Sequence, residues 1–186
     1  MPEDNPIHVM DEADVRREIA RLAREIVERN EGTEQLVLMG VHRRGTQIAA
    51  MLRDAIEAAA GAVVPTGSID ITLYRDDLGT IGPRPVIGES QLPAEGIDDR
   101  CVVLVDDVAF TGRTMRAAMN ELSDWGRPQR ILFCVLVDRG GRELPIQPDF
   151  TGKVVEVGAG QRVEVRVPEL DGWLGVELVH VEPEQA

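Results

Sequence analysis

Two stretches of apolar sequence limit what this chain can fold into more than any other feature. Residues 102–105 (Val-Val-Leu-Val) and 130–137 (apolar throughout after Arg130) show no alternation of polar and apolar positions. A strand with one face in water alternates, whereas a strand covered on both faces does not. The runs therefore predict central strands of a parallel sheet with helices on each side. The neighbouring segments agree. Asp11 followed by Asp14 reads as a helix N-terminal signal, and Ile19, Leu22 and Ile26 form an apolar stripe, predicting a helix over 12–29. Residues 35–39 predict a strand ended by Gly40, residues 46–60 and 114–125 predict helices, and residues 68–74 alternate as a strand does. In the last third, residues 153–157, 162–167 and 173–179 read as short strands of a small antiparallel ribbon, before an acidic tail with Glu182 and Glu184. The expected fold class is α/β, a parallel sheet flanked by helices with a small C-terminal β-rich hood over 138–186. No repeat or low-complexity linker divides the chain, so one domain over 1–186 is expected.

Composition narrows the function. The formal net charge of −13 argues against indiscriminate nucleic-acid binding, which depends on basic residues neutralising phosphates. Of the 20 basic residues, only Lys153 is a lysine. With no Lys beside a Gly-rich turn there is no Walker phosphate loop, and no Gly-x-Gly-x-x-Gly fingerprint occurs. Cys101 and Cys134 lie in apolar runs without Cys-x-x-Cys spacing, which predicts buried reduced thiols rather than a disulfide or metal site. No run approaches the length of a membrane span and no signal pattern opens the chain, so a cytoplasmic protein without membrane contact is expected.

The chemistry concentrates in residues 102–114. A buried strand delivers Asp106 and Asp107 at its C-terminal end, where open α/β sheets bind ligands. Val108, Ala109 and Phe110 lead to Thr111, Gly112, Arg113 and Thr114, a small-residue turn opening a helix whose N-terminal amides and dipole suit a phosphate. Carboxylates suit sugar hydroxyls, so the spacing describes a ribose 5-phosphate. Paired acids after a strand are by themselves more often structural. A second basic turn, Gly40-Val41-His42-Arg43-Arg44-Gly45, joins the first strand to its helix, and Arg43 and Arg44 there could fork onto phosphate oxygens. Residues 75–91 lose periodicity and collect Gly79, Gly82, Pro83, Pro85 and Gly88. A loop of that length is either a functional lid or disordered.

Residues 102–114 resemble the phosphoribosyl diphosphate signature of type I phosphoribosyltransferases: apolar strand, two acids, linkers, then Thr-Gly and Thr. Residues 40–45 resemble the superfamily's pyrophosphate loop. Residues 70–78 and 136–146 resemble hallmarks of the pyrimidine operon attenuation regulator/uracil phosphoribosyltransferase family, and the similarity runs from about residue 11 to residue 153. The resemblance implies uracil and phosphoribosyl diphosphate as substrates, UMP and diphosphate as products, and Mg²⁺ arriving with the donor without an assignable protein ligand. It places Asp106 and Asp107 at the ribose, Thr111, Gly112, Arg113 and Thr114 around the 5-phosphate, Val108, Ala109 and Phe110 among the substrate contacts, and Arg43 and Arg44 at the pyrophosphate. Arg75 falls on a lid over 74–91, and Val137 and Arg139 beside the base. Phe110 stands where purine-specific relatives commonly carry Asp, which favours a pyrimidine; many members of the family carry Tyr there.

The same resemblance implies a regulator that binds leader RNA of pyrimidine genes when charged with UMP, working as a homo-dimer or tetramer. Candidate RNA contacts are Arg17, Arg21, Arg24, Arg142 and Lys153. The arginines of the first helix also fit a solvated, salt-bridged face. Several positions depart from the family: Gly141 and Arg24 stand where His is frequent, and Val154 to Gly158 replace a Pro-Thr-Ser stretch. Three readings follow, namely a bifunctional protein, a regulator with weak or no transferase activity, and a transferase that has lost RNA binding.

Overall fold

The structure, a computed structural model, describes residues 5–71 and 89–181. Arg75, most of the expected lid and the acidic tail lie outside the described residues. In chain order the elements are β1 (Ile7–Met10), α1 (Glu12–Arg29), β2 (Leu36–Val41), α2 (Arg44–Ala60), β3 (Thr66–Ile69), β4 (Cys101–Ala109), α3 (Arg113–Trp125), β5 (Arg130–Asp138), β6 (Phe150–Val154), β7 (Gln161–Arg166), α4 (Pro168–Asp171) and β8 (Gly175–His180).

Five strands pair in parallel in the order β3-β2-β4-β5-β6, with β4 in the centre. Side chains alternate across this sheet. Leu36, Leu38, Val103 and Val105 pack with α1, through Val15, Ile19, Leu22 and Ile26, and with α2, through Ile48, Leu52 and Ile56. On the opposite face, Val37, Met39, Val102 and Leu104 pack with Met115, Ala118 and Leu122 of α3. Both faces are covered, which is why the central strands need no polar positions. Cys101 and Cys134 are buried free thiols, and burial pushes Cys134 far above the ordinary thiol value.

Helix α1 starts where the sequence puts it. Asp11 accepts from the Asp14 N–H at 2.8 Å and Asp14 accepts from the Asp11 N–H at 3.1 Å, a reciprocal capping box. Other boundaries move. Gly40 lies inside β2 rather than ending it, and its position is dictated by crowding: a Cβ there would sit 2.5 Å from the Thr46 Cα. Strand β3 begins at Thr66 and ends at Ile69, earlier than the alternation suggests. Strand β4 runs through both acids to Ala109, because Asp106, Val108 and Ala109 still pair with Val135, Val137 and Asp138.

The C-terminal reading needs a correction. Strand β6 joins the main sheet in parallel at its edge, with Cys134, Val135, Val137 and Asp138 facing Phe150, Thr151, Lys153 and Val154. The antiparallel ribbon is instead β1-β8-β7, completed by a strand from the N-terminal end that the sequence reading did not anticipate. A four-residue strand of three apolar residues and one histidine carries too little periodicity to be read alone. Helix α4 was also missed, although Pro168 at its start and Gly172 past its end are a helix signature. Val163, Val165, Val176 and Leu178 of the small sheet share one core with α1 and α2.

Candidate active site at the C-terminal end of strand β4

Asp106 and Asp107 occupy the last turns of the central strand, and because strand side chains alternate they face two different cavities. Asp106 is almost fully buried and lines a cavity of about 360 Å³ together with Val108, Phe110, Thr111, Gly112, Thr114 and Arg142. Asp107 lines a second cavity of about 350 Å³ with Arg44, Arg162, Glu164 and Arg166. Each carboxylate accepts a hydrogen bond from the next backbone N–H, Asp107 N at 2.9 Å and Val108 N at 3.0 Å. Burial first, and the adjoining Asp107 charge second, hold the Asp106 carboxyl well above the usual carboxylate range.

The turn after β4 is built for a closely approaching oxygen-rich group. Gly112 has φ +92°, and a Cβ there would lie 3.3 Å from Leu144 Cβ, so both conformation and space favour glycine. Gly112 makes no side-chain cap, the Arg113 N–H goes to Thr111 Oγ1 at 3.2 Å, and the first intrahelical bond is Arg116 N–H to Gly112 O. The N–H groups of Thr114 and Met115 in that first turn have no intrahelical acceptor, which together with the helix dipole makes an anion cradle. Arg113 extends outward and forms an ion pair with Glu143, Nε to Oε2 at 2.9 Å.

A loop from the end of β5 clasps this turn. The Glu143 and Leu144 N–H groups both donate to Thr111 O at 3.0 Å. Arg142 donates to Phe110 O at 2.7 Å, to Ile146 O at 2.8 Å and to Asp138 Oδ2 at 2.7 Å. Arg142, expected among the RNA contacts, thus points its guanidinium inward onto loop carbonyls and Asp138. Phe110 is 45% exposed, with the Arg139 guanidinium 3.9 Å from its ring centroid. A Cβ on Gly141, φ +76°, would collide with the ring at 2.6 Å, so Gly141 and Phe110 fit each other. Burial lowers the Arg139 pKa, and its Nε has no partner among the described residues. Val137 is fully buried in the core, so only its main chain is available to a ligand beside it.

The basic turn after β2 reaches the same strand end. Gly45 is pressed against β4 so tightly that a Cβ would meet Val105 O at 2.4 Å. The His42–Arg43 peptide is cis, and His42 and Arg43 are exposed. The two arginines part company here. Arg43 has no side-chain partner among the described residues, whereas Arg44 forks onto Asp171, Nη2 to Oδ1 at 2.9 Å and Nε to Oδ2 at 3.3 Å. Both arginines were expected at the pyrophosphate; in the structure Arg44 is bonded to Asp171 of the hood, while Arg43 is exposed. Asp171, Arg166 and Glu177 were not singled out from the sequence; the acids and arginines of the small sheet gave no motif to find them by.

The candidate RNA face is only partly assembled. Arg21 is consumed by Glu18, Glu25 and the Thr151 and Gly152 carbonyls, Arg17 pairs with Asp14, and Lys153 Nζ donates to Val9 O at 3.2 Å. Arg24 is exposed, with Nε 3.3 Å from Ala20 O. Among the described residues no group of three or more His, Cys, Asp or Glu is placed to hold a metal, and no helix is long and apolar enough to cross a membrane.

A family model described as phosphoribosyl transferase domain matches residues 10–166. The chain belongs to that family. Among phosphoribosyltransferases it is 51% identical over 166 residues to the Bifunctional protein PyrR of Herpetosiphon aurantiacus, covering 89% of this chain and 92% of that one. It is 50% identical over 170 residues to the Bifunctional protein PyrR of Thermus thermophilus, covering 91% and 93%. Identity at that level over nearly the whole chain makes it a PyrR-type member and, as an enzyme, a pentosyltransferase. The fold recurs in a hypoxanthine phosphoribosyltransferase from Trypanosoma cruzi, with a TM-score of 0.72 at 21% identity over 97% of each chain. It recurs also in one from Staphylococcus aureus, with a TM-score of 0.69 at 18% identity over 98% and 96%. The type I phosphoribosyltransferase fold expected from the sequence is borne out.

Proposed function

We propose that the protein transfers the phosphoribosyl group of phosphoribosyl diphosphate to uracil, giving UMP and diphosphate, within one catalytic domain. The observation that carries this reading is the uncapped first turn of α3 beside Asp106, with Phe110 at the rim of the same cavity. The 5-phosphate sits on the amides of the turn at 111–114 with the Thr111 and Thr114 hydroxyls, and the ribose crosses the end of β4 between Asp106 and Asp107. A ring nitrogen of uracil attacks C1 as the C1–O bond to pyrophosphate breaks, and the nitrogen's proton leaves to solvent. Positive charge grows on the ribose in between. The two carboxylates hold its hydroxyls and favour that charge, so catalysis is chiefly positioning and electrostatics. A growing positive charge also draws the Asp106 carboxyl toward its ionised form.

Arg43 and the amides at the start of α2 receive the pyrophosphate. Phe110, backed by Arg139, offers a flat apolar face to the base and neither donates nor accepts, which suits a pyrimidine. Mg²⁺ would arrive with the donor, held by its phosphate oxygens and water, the hard ligands it favours, with Asp106 or Asp107 at the strand end within the same site. When bound, it neutralises charge on the leaving pyrophosphate. Arg75, which the resemblance places over the donor, lies outside the described residues.

Regulation through RNA is the second half of the proposal, with UMP as the signal and the protein acting as a homo-oligomer in the cytoplasm. Arg24, Arg17 and Lys153 are its candidate contacts, since α1 packs against β6, the edge strand of the main sheet that carries Lys153. The decisive experiment is incubation with phosphoribosyl diphosphate and Mg²⁺ and, separately, uracil, orotate, hypoxanthine and guanine. Nucleotide from uracil alone is expected; nucleotide from a purine or orotate overturns the specificity. RNA affinity that requires UMP and falls steeply with salt is expected for the regulatory half, and affinity indifferent to UMP refutes it.

A further inference from the structure

The second cavity is ringed by cations that are already matched. Arg44, Arg162 and Arg166 face Asp107 and Glu164 there, and each arginine has a carboxylate partner. The arrangement begins in the small sheet. Glu164 and Glu177 stand directly opposite each other on β7 and β8, a like-charge pair that repels unless a cation lies between. Arg166 is that cation: its Nε lies 3.0 Å from Glu177 Oε2, and it also pairs with Glu164. Its Nη1 lies 3.5 Å from Asp171 Oδ1. Asp171 is fixed further by the Val167 N–H at 2.9 Å, and it hands both oxygens to Arg44. A continuous chain of ion pairs thus runs from Glu177, 5% exposed, to the first residue of α2.

Arg44 is also the residue after Arg43 and before Gly45. The turn is therefore anchored at two points. Gly45 lies against Val105 of the central strand, and the Arg44 side chain is tied to the hood. Immediately before those anchors Arg43 is exposed, and α2 starts without a side-chain cap. A turn fixed at both points loses less freedom on binding a polyanion than one fixed at one.

We propose that Asp171 is a positioning residue for the donor: by holding Arg44 it sets the 41–45 turn in the conformation that receives pyrophosphate. The inference rests on the transferase reading above and adds to it a residue at the far end of the chain. Asp171 touches no reacting atom. Were Arg44 itself needed on the pyrophosphate, Asp171 would compete with the donor, and removing its charge would tighten binding.

The test is calorimetric titration of phosphoribosyl diphosphate with Mg²⁺, alongside steady-state kinetics, for the wild type, Asp171→Asn, Asp171→Glu, Arg44→Ala and the double variant Asp171→Asn/Arg44→Ala. Asp171→Asn is expected to raise the donor Kd and KM about tenfold, with kcat and the base KM within about twofold. Asp171→Glu should recover part of the loss, and Asp171→Asn should add nothing in the Arg44→Ala background. Unchanged or tighter donor binding by Asp171→Asn, or a full additive effect in the double variant, overturns the proposal. If Asp171→Asn does not fold, the comparison of Asp171→Glu with Arg44→Ala decides the same point. A wild type that binds no donor overturns the transferase reading and this one together.

Discussion

Single side chains divide the work at this site more sharply than their spacing suggests. Asp106 and Asp107 are neighbours in sequence yet line separate cavities, so their substitutions should differ in kind. Asp107→Asn keeps shape and hydrogen bonding while removing a charge, and turnover should fall on the order of a hundredfold with little change in the melting temperature. Single-turnover kinetics with saturating donor check this, and normal turnover would remove Asp107 from the mechanism. Arg142 is a different case. Arg142→Ala leaves the Phe110 and Ile146 carbonyls and the Asp138 carboxylate without their donor, which should cost about 3 kcal/mol in urea denaturation. RNA affinity should be reduced by that substitution only as far as folding is. Asp106, Asp107 and the turn at 111–114 were legible in the sequence because their chemistry is local. The partners of Arg142 were not legible, because an arginine's partners across a loop leave no trace in its own neighbourhood.

At the scale of elements, the site exists because two helix starts converge on one strand end. Gly40 and Gly45 let α2 begin against β4, and Gly112 lets α3 begin against the loop at 144–146. Gly45→Ala would drive a methyl into Val105 O, and the helix must shift to relieve it. The expected loss is about 2 kcal/mol, seen as a lower urea midpoint, with a higher donor KM because the turn moves with the helix. An unchanged midpoint would show that α2 can slide without strain. The core strands and α1 could be read from the sequence because their patterns are long and uninterrupted. Strands β1 and β6 could not: β1 is four residues, and β6 shows the mixed polarity of an edge, which fits a ribbon as well as the rim of a parallel sheet.

For the molecule as a whole, buried acids set opposing pH dependences. Burial raises Glu121, which sits on α3 with Ser90 Oγ donating to it and its second oxygen without a partner among the described residues. A raised carboxyl contributes stability that is full below the ordinary Glu range and is lost as pH rises through the higher folded value. Asp171 runs the other way. Burial alone would raise it, but the Arg44 fork, the Val167 N–H and the Arg166 charge outweigh that and lower it. Its contribution is present above the ordinary Asp range and is lost as pH falls through the folded value. Glu121→Gln should therefore gain stability relative to wild type as pH rises from the ordinary Glu range through the raised folded value. Urea midpoints at several pH values measure it, and a difference that does not change with pH would show that Glu121 is not buried as a titrating group.

The small sheet carries one more consequence. Its middle strand, β8, takes Ile7 against Leu178 on one side and β7 on the other, so β1 finds its place only when the chain from one end to the other has come together. Contacts at such sequence separation are slow to form, whereas the β2–β4–β5 sheet can assemble from nearer neighbours. The hood should therefore close last during refolding. The phosphate turn of α3 would form with the sheet, and the Arg44 anchor only afterwards, so a refolding chain would be shaped for the ribose phosphate before it is shaped for the pyrophosphate.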